Sequence, residues 1–154
     1  MVVVSTLLVL NSSFAAAQVP YLPKGSKVFI ASMDGLDAHM QKATSAVDFP
    51  LVFVRTRAEA DYELTGTTRE VRPEKAGFNN VRTTRQSTTM AVTNIASGER
   101  VFAHTVQTEI RSPEQHGSQR STESRTASSI LDDGRAAAAR QSAAALREAV
   151  NAAR

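Results

Sequence analysis

The chain is expected to fold as a two-layer α/β (α+β) sandwich. A mixed sheet of about five strands runs in the order β-α-β-β-β-β-α, with helices packed on the sheet. Three features lead to this reading. A strand, a one-faced helix and a second strand fall within residues 27–56. Two β-rich runs flank the Gly-containing turn 97–99, and an Ala-rich helical stretch closes the chain. A length of 154 residues suits one domain, since domains cluster near ~100–150 residues.

Each element has its own signal. KVFIASM (27–33) is a compact apolar run, the pattern of a buried strand. In 36–47, Leu36, Met40, Ala43 and Val47 recur at helical spacing and form one apolar face. Asp34 and Asp37 favour the N-terminal end of that helix, where the macrodipole is positive. Asp48-Phe49-Pro50 ends it, and LVFVRT (51–56) is a β-branched strand. Together these make a βαβ unit, nearly always right-handed.

Residues 61–71 alternate Tyr62 and Leu64 with charge and continue in threonines, so they read as a half-exposed strand. Gly66 inside it signals a bulge or close packing. Pro73, Gly77 and Asn79-Asn80 mark 72–85 as a loop or frayed hairpin. Runs 86–96 and 100–110 around Ser97-Gly98-Glu99 form an antiparallel hairpin. The wholly polar run 111–129 cannot bury a core and is expected to be mobile. From 129 to 153, Leu131, Ala138, Ala145, Leu146, Ala149, Val150 and Ala153 trace a helical stripe. Ser129 with Asp132 three residues on resembles a capping box. Arg147 and Arg154 complement the C-terminal dipole.

The first 23 residues carry no charge. An apolar stretch from Val2 to Leu10, then Ala15-Ala16-Ala17, has the form of a signal peptide with an A-x-A cleavage site, cut after Ala17. Residues 1–17 are therefore expected to be the signal peptide, 18–26 a linker and 27–154 a single domain. The stretch is shorter than the ~20 apolar residues of a membrane-spanning helix. The mature protein is expected in the periplasm or secreted.

Composition narrows the chemistry. There is no Cys, which excludes disulfides, thiol nucleophiles and Cys-ligated metals. His39, His104 and His116 form neither an i,i+4 pair nor an HExxH, so they read as surface or flanking residues. Asp34, Asp37 and His39 could suggest proton transfer, but helix-start carboxylates beside a bystander His account for them. No phosphate-binding glycine loop or nucleophile elbow occurs. The pattern assigns no catalytic residue, metal or cofactor. The remaining lead is charge. Lys+Arg 18 against Asp+Glu 15 gives +3, and 14 of the 18 are Arg. Arg69, Arg72, Lys75, Arg82 and Arg85 outnumber the acids within 69–85 and could bind an anionic partner. Phe78 is the only aromatic there, so a nucleic acid is not expected.

Three stretches carry a resemblance: KVFIASMDG (27–35), ADYELTG (60–66) and AVTNIASGERVFA (91–103). They resemble the envelope proteins related to the curli secretion lipoprotein and to the periplasmic activator lipoproteins of cell-wall synthases. Asn94 and Ser97-Gly98 stand where that pattern often has Asp and Thr-Gly, and a terminal Ala-rich helix follows in both. The chain has no lipid-attachment Cys, and the charged segment 72–85 is wrong for a lipid-facing hairpin. The resemblance therefore implies an accessory domain of the bacterial envelope and not a pore. It supplies no catalytic residue. The export signal, the hairpin and the lack of a catalytic pattern lead to a non-enzymatic domain that binds another envelope component or itself, and the basic charge adds an anionic polymer as a partner. The alternative is a small secreted hydrolase whose site is dispersed along the chain. A pocket with converging acid–base groups would favour the enzyme, and a flat sheet face or open edge strand would favour binding.

Overall fold

The computed structural model describes residues 21–45, 48–71, 81–113 and 127–152. In chain order these form β1 (Lys27–Ile30), α1 (Leu36–Ser45), β2 (Val52–Val54), a 3-10 turn (Arg57–Glu59), β3 (Tyr62–Val71), β4 (Val81–Asn94), β5 (Arg100–Pro113) and α2 (Ala127–Ala152). The sheet order is β2-β1-β3-β4-β5. β1 pairs in parallel with β2 and β3, and the other neighbours are antiparallel. This is the mixed five-stranded α+β sandwich expected from the sequence.

Alternation along the strands assigns two faces. Leu64, Gln86, Thr88, Met90, Val92, Val106 and Thr108 are buried, and they point toward the helices. Thr65, Thr67, Thr89, Ala103, Thr105 and Gln107 are exposed on the other side. The core sits between the helix-facing side and the two helices. Its largest members are Leu36 and Met40 of α1, Leu64 and Met90 of the sheet, and Leu146 of α2. Each such side chain contributes about 1.5–3 kcal/mol by leaving water.

Two glycines set how closely the layers meet. Gly66 of β3 stands opposite Met90 of β4 in an unbroken register, without a bulge. A Cβ there would come within 3.0 Å of the Leu36 side chain and of the Met33 sulfur. Its role is therefore close packing under the start of α1. Gly134 lies inside α2, where glycine costs about 1 kcal/mol relative to alanine. A Cβ on it would overlap the side-chain amide of Gln86 beneath. The helix accepts a poor helix former so that it can lie on the polar side chains of β4 and β5.

The ADY segment and the hairpin tip tie the strands together. The Asp61 N–H donates to Lys27 O (2.9 Å), and Asp61 O accepts from the Ile95 N–H (3.0 Å). Asn94 Oδ1 accepts from the N–H groups of Ala96 (2.9 Å) and Ser97 (3.0 Å). An Asp carboxylate could play the same acceptor role. Gly98 closes the turn with φ +72, a conformation that glycine adopts freely.

Several boundaries differ from the sequence reading. From residue 21 the expected linker is part of the fold. Leu22 is in the core, and the Gly25 N–H donates to Pro50 O (2.7 Å). Residues 81–85, in the segment read as a loop or frayed hairpin, are the start of β4, because pairing with β5 continues down to Val81 opposite Pro113. β5 likewise runs three residues into the polar stretch 111–129. α2 begins at Ala127, so Ser129 lies inside the helix and does not cap it. α1 ends at Ser45, and Thr44 joins Leu36 and Met40 on its buried face. Residues 1–17, residues 114–126 of the expected mobile run with His116 among them, Val47, Ala153 and Arg154 lie outside the described residues.

The α2 stripe also shifts. Gly134, Ala138, Ala139, Ser142, Ala143, Leu146 and Val150 are buried, while Ala145 is half-buried and Ala149 exposed. Counting apolar letters misplaces the face. Alanine occurs all around this helix, and a glycine and a serine sit on its buried side.

Gly134→Ala is expected to destabilise the protein by about 1–3 kcal/mol in urea unfolding, because overpacking outweighs the helix-propensity gain. Adding Gln86→Ala should recover part of the loss; a more stable Gly134→Ala single variant would refute the contact. Leu146→Asp leaves a buried charge unpaired and should cost about 3–5 kcal/mol. The exposed Arg147→Asp should cost well under 1 kcal/mol. Thermal melts of the two variants compare them directly.

Candidate functional site

The side of the sheet away from the helices is polar along the described parts of β3, β4 and β5. Threonine dominates it because β-branched residues suit a pleated strand even where it is exposed. Thr89 and Thr105 stand opposite each other in β4 and β5, with hydroxyl oxygens 3.0 Å apart. Arg85 Nε donates to Glu109 Oε2 (3.3 Å) across the same pair of strands.

The sequence-predicted basic residues are not gathered in one described cluster. Arg69 and Arg85 are exposed on the open face of β3 and β4, and Arg85 pairs with Glu109. Arg82 stands opposite Ser112 in the β4–β5 ladder. Arg72 and Lys75 lie outside the described residues.

β5 closes one edge of the sheet. It has 14 residues, and its only proline is the last, Pro113. An edge strand of this length presents a row of backbone N–H and C=O groups to whatever lies alongside. Proteins usually block such edges with lysine, proline, bulges or brevity. β5 contains no lysine. The one irregularity in its ladder, at Val92 and Thr93, lies at the hairpin end. The remaining length is regular and is backed on one face by α2.

Two histidine contacts join distant parts of the chain. His39 Nε2 on α1 donates to Asp132 Oδ1 on α2 (2.7 Å). This hydrogen bond, together with the charge of His39, holds the Asp132 carboxyl below its ordinary range, and Arg135 adds to the effect. The pair staples the two helices at the surface. His104 Nδ1 lies 3.4 Å from Ser142 Oγ between β5 and α2. Ser142 is buried, so its hydroxyl is closed to an outside substrate. Neither contact was legible in sequence, because His39 and Asp132 are 93 residues apart and His104 and Ser142 are 38 apart. The Asp34–Asp37 turn is structural. Asp37 Oδ1 accepts from the N–H groups of Met33 (3.2 Å) and Gly35 (3.1 Å), which fixes the entry to α1.

An open cavity of about 600 Å³ lies between the last turns of α1 and the β1–β2 end of the sheet. Its lining mixes apolar side chains with the polar Gln41, Thr44 and Ser45, and Arg55 is its one charged lining residue among those described. No helix among the described residues is long and apolar enough to cross a membrane.

No protein-family model matches the chain, and no curated protein matches it. Solved structures share its fold. It is similar to the uncharacterized lipoprotein B from Nitrosomonas europaea, with 12% identity, a TM-score of 0.58 and coverage of 89% of this chain and 90% of that one. A hypothetical protein from Chlamydia trachomatis matches with 8% identity, a TM-score of 0.58 and coverage of 83% and 99%. The PelC dodecamer from Paraburkholderia phytofirmans matches with 14% identity, a TM-score of 0.51 and coverage of 83% and 91%.

Because the Asp132 pKa is lowered on folding, its stabilising effect is present above the unfolded carboxylate value of about 3.9 and is lost as pH falls through the lower native value. Asp132→Asn should therefore lower stability in the neutral region, leave it nearly unchanged at the lowest pH, and so flatten the acid limb of the stability–pH curve. Equal acid limbs in the two proteins, measured by urea unfolding, would show that the staple contributes nothing.

Proposed function

We propose that this protein is an exported, non-enzymatic accessory domain of the bacterial cell envelope that binds a protein partner through the β5 edge and the adjoining open face of the sheet. The observation that carries the reading is the long, regular edge of β5, which pairs with no further strand among the described residues. Backbone groups on such an edge accept an added strand, and the flanking side chains supply selectivity. The polar open face suits a partner that binds reversibly, since it is stable in water when unbound.

Three further points support an envelope role. The first 17 residues have the form of a signal peptide. The segments at 27–35, 60–66 and 91–103 resemble the curli-secretion and synthase-activator lipoprotein group. One protein of similar fold is a lipoprotein. A second copy of this chain is a natural candidate partner, a reading supported by the dodecameric assembly of one structural neighbour. Binding rather than catalysis is supported by the cavity lining, which offers one guanidinium and no acid–base pair.

A photo-crosslinking side chain at Gln107 should capture a protein partner, or a second copy, in envelope fractions of the native host. The same group at Arg147, on the exposed side of α2, should capture little. Crosslinks confined to Arg147, or protein confined to the cytosol with its N-terminus intact, would overturn the proposal.

A further inference from the structure

The cavity beside α1 has a chemistry that the sheet edge does not use. Phe29, Phe49, Leu51, Phe53 and Val54 supply its apolar walls. The rings of Phe49 and Phe53 meet at 5.5 Å with a 59° tilt, which holds that wall in a fixed shape. Among the described phenylalanines only Phe102 lies elsewhere. All three cavity phenylalanines remain partly open to the space between them.

The polar groups around the cavity are unequal. The Thr44 hydroxyl donates to Met40 O (2.9 Å), and the Ser45 hydroxyl donates to Gln41 O (2.6 Å), so both are occupied by the helix backbone. Arg55 is exposed, at the end of β2, and makes no ion pair among the described residues. Arg57, two positions on, is paired with Glu63 (3.2 Å). The cavity thus combines a phenylalanine wall with a polar side formed by Gln41, Thr44 and Ser45 of α1 and a single guanidinium.

We propose that this cavity binds one aliphatic chain ending in a carboxylate, with the chain along the phenylalanine wall and the carboxylate on Arg55. A volume of about 600 Å³ falls in the range of small-molecule pockets and holds one chain rather than a bilayer patch. One guanidinium fork matches one carboxylate in charge and geometry. The site is distinct from the β5 edge, which is the opposite end of the sheet.

The test titrates the full chain with tetradecanoate by calorimetry, below the concentration at which the probe aggregates. Saturable one-to-one binding is expected, tightening roughly three- to fourfold per methylene from decanoate upward. Arg55→Glu should weaken it by at least about tenfold, while Arg55→Lys retains most of the affinity. Neutral dodecanol should bind wild type and Arg55→Glu alike. Ser45→Trp, at the exposed end of α1, should obstruct the cavity and abolish binding of both probes, with thermal melts confirming that each variant is folded. Binding of tetradecanoate that survives Arg55→Glu or Ser45→Trp undiminished overturns the site. So does the absence of saturable binding, or binding only to phosphatidylglycerol vesicles.

Discussion

Both helices must bury their apolar sides on the same face of one sheet, and the remaining architecture follows from that constraint. α1 and α2 lie side by side over it, and the core forms where Leu36, Met40, Leu64, Met90 and Leu146 meet. The approach is close because the contact surfaces are small. Gly66 admits the start of α1, and Gly134, Ala138, Ala139 and Ala143 let α2 lie low over β4 and β5. Low packing has a consequence for polarity. Gln86, Thr88 and Ser142 are buried beneath or within α2, giving this half of the interface a more polar character than the α1 half, where Thr44 is buried.

Covering one face leaves the other open. A two-layer sandwich of this kind keeps a wet sheet surface, and here the sequence fills it with threonine and with cross-strand pairs such as Thr89–Thr105 and Arg85–Glu109. The sheet ends differently at its two edges. β2 has three residues and adjoins the phenylalanine-lined cavity, whereas β5 has 14 residues and a regular ladder. The two proposed activities separate along this division. Backbone pairing belongs to the β5 edge, and enclosure of an apolar chain belongs to the β2 side.

The surface contacts between the helices are of a different order from the core. His39 and Asp132 meet at 2.7 Å, but the carboxylate side chain is 61% exposed, so solvent weakens the pair. Its importance is geometric: it fixes how the N-terminal part of α2 lies against α1. Asp61 does comparable work at the opposite end of the strands. Through backbone bonds to Lys27 and Ile95 it joins the parallel and antiparallel halves of the sheet.

The class of fold, the order of its elements and the position of the hairpin turn were all legible in the sequence. Those depend on local periodicity and turn chemistry, as in Leu36 and Met40 at helical spacing or Gly98 in a left-handed turn. An isolated glycine within a strand marks either a bulge or a close approach, and at Gly66 the unbroken register and the contact with α1 decided for close approach. Tertiary packing settled what local signals could not. Residues 81–85 read as loop or frayed hairpin, and they become strand because β5 is there to pair with them. The buried face of α2 includes Gly134 and Ser142 and excludes Ala149, since the shape of the sheet selects the face when alanine marks every side. The His39–Asp132 staple and the Arg55 cavity join segments far apart in the chain or on different elements. Their chemistry exists only once α1 has been laid against α2 on one flank and against the β1–β2 end of the sheet on the other.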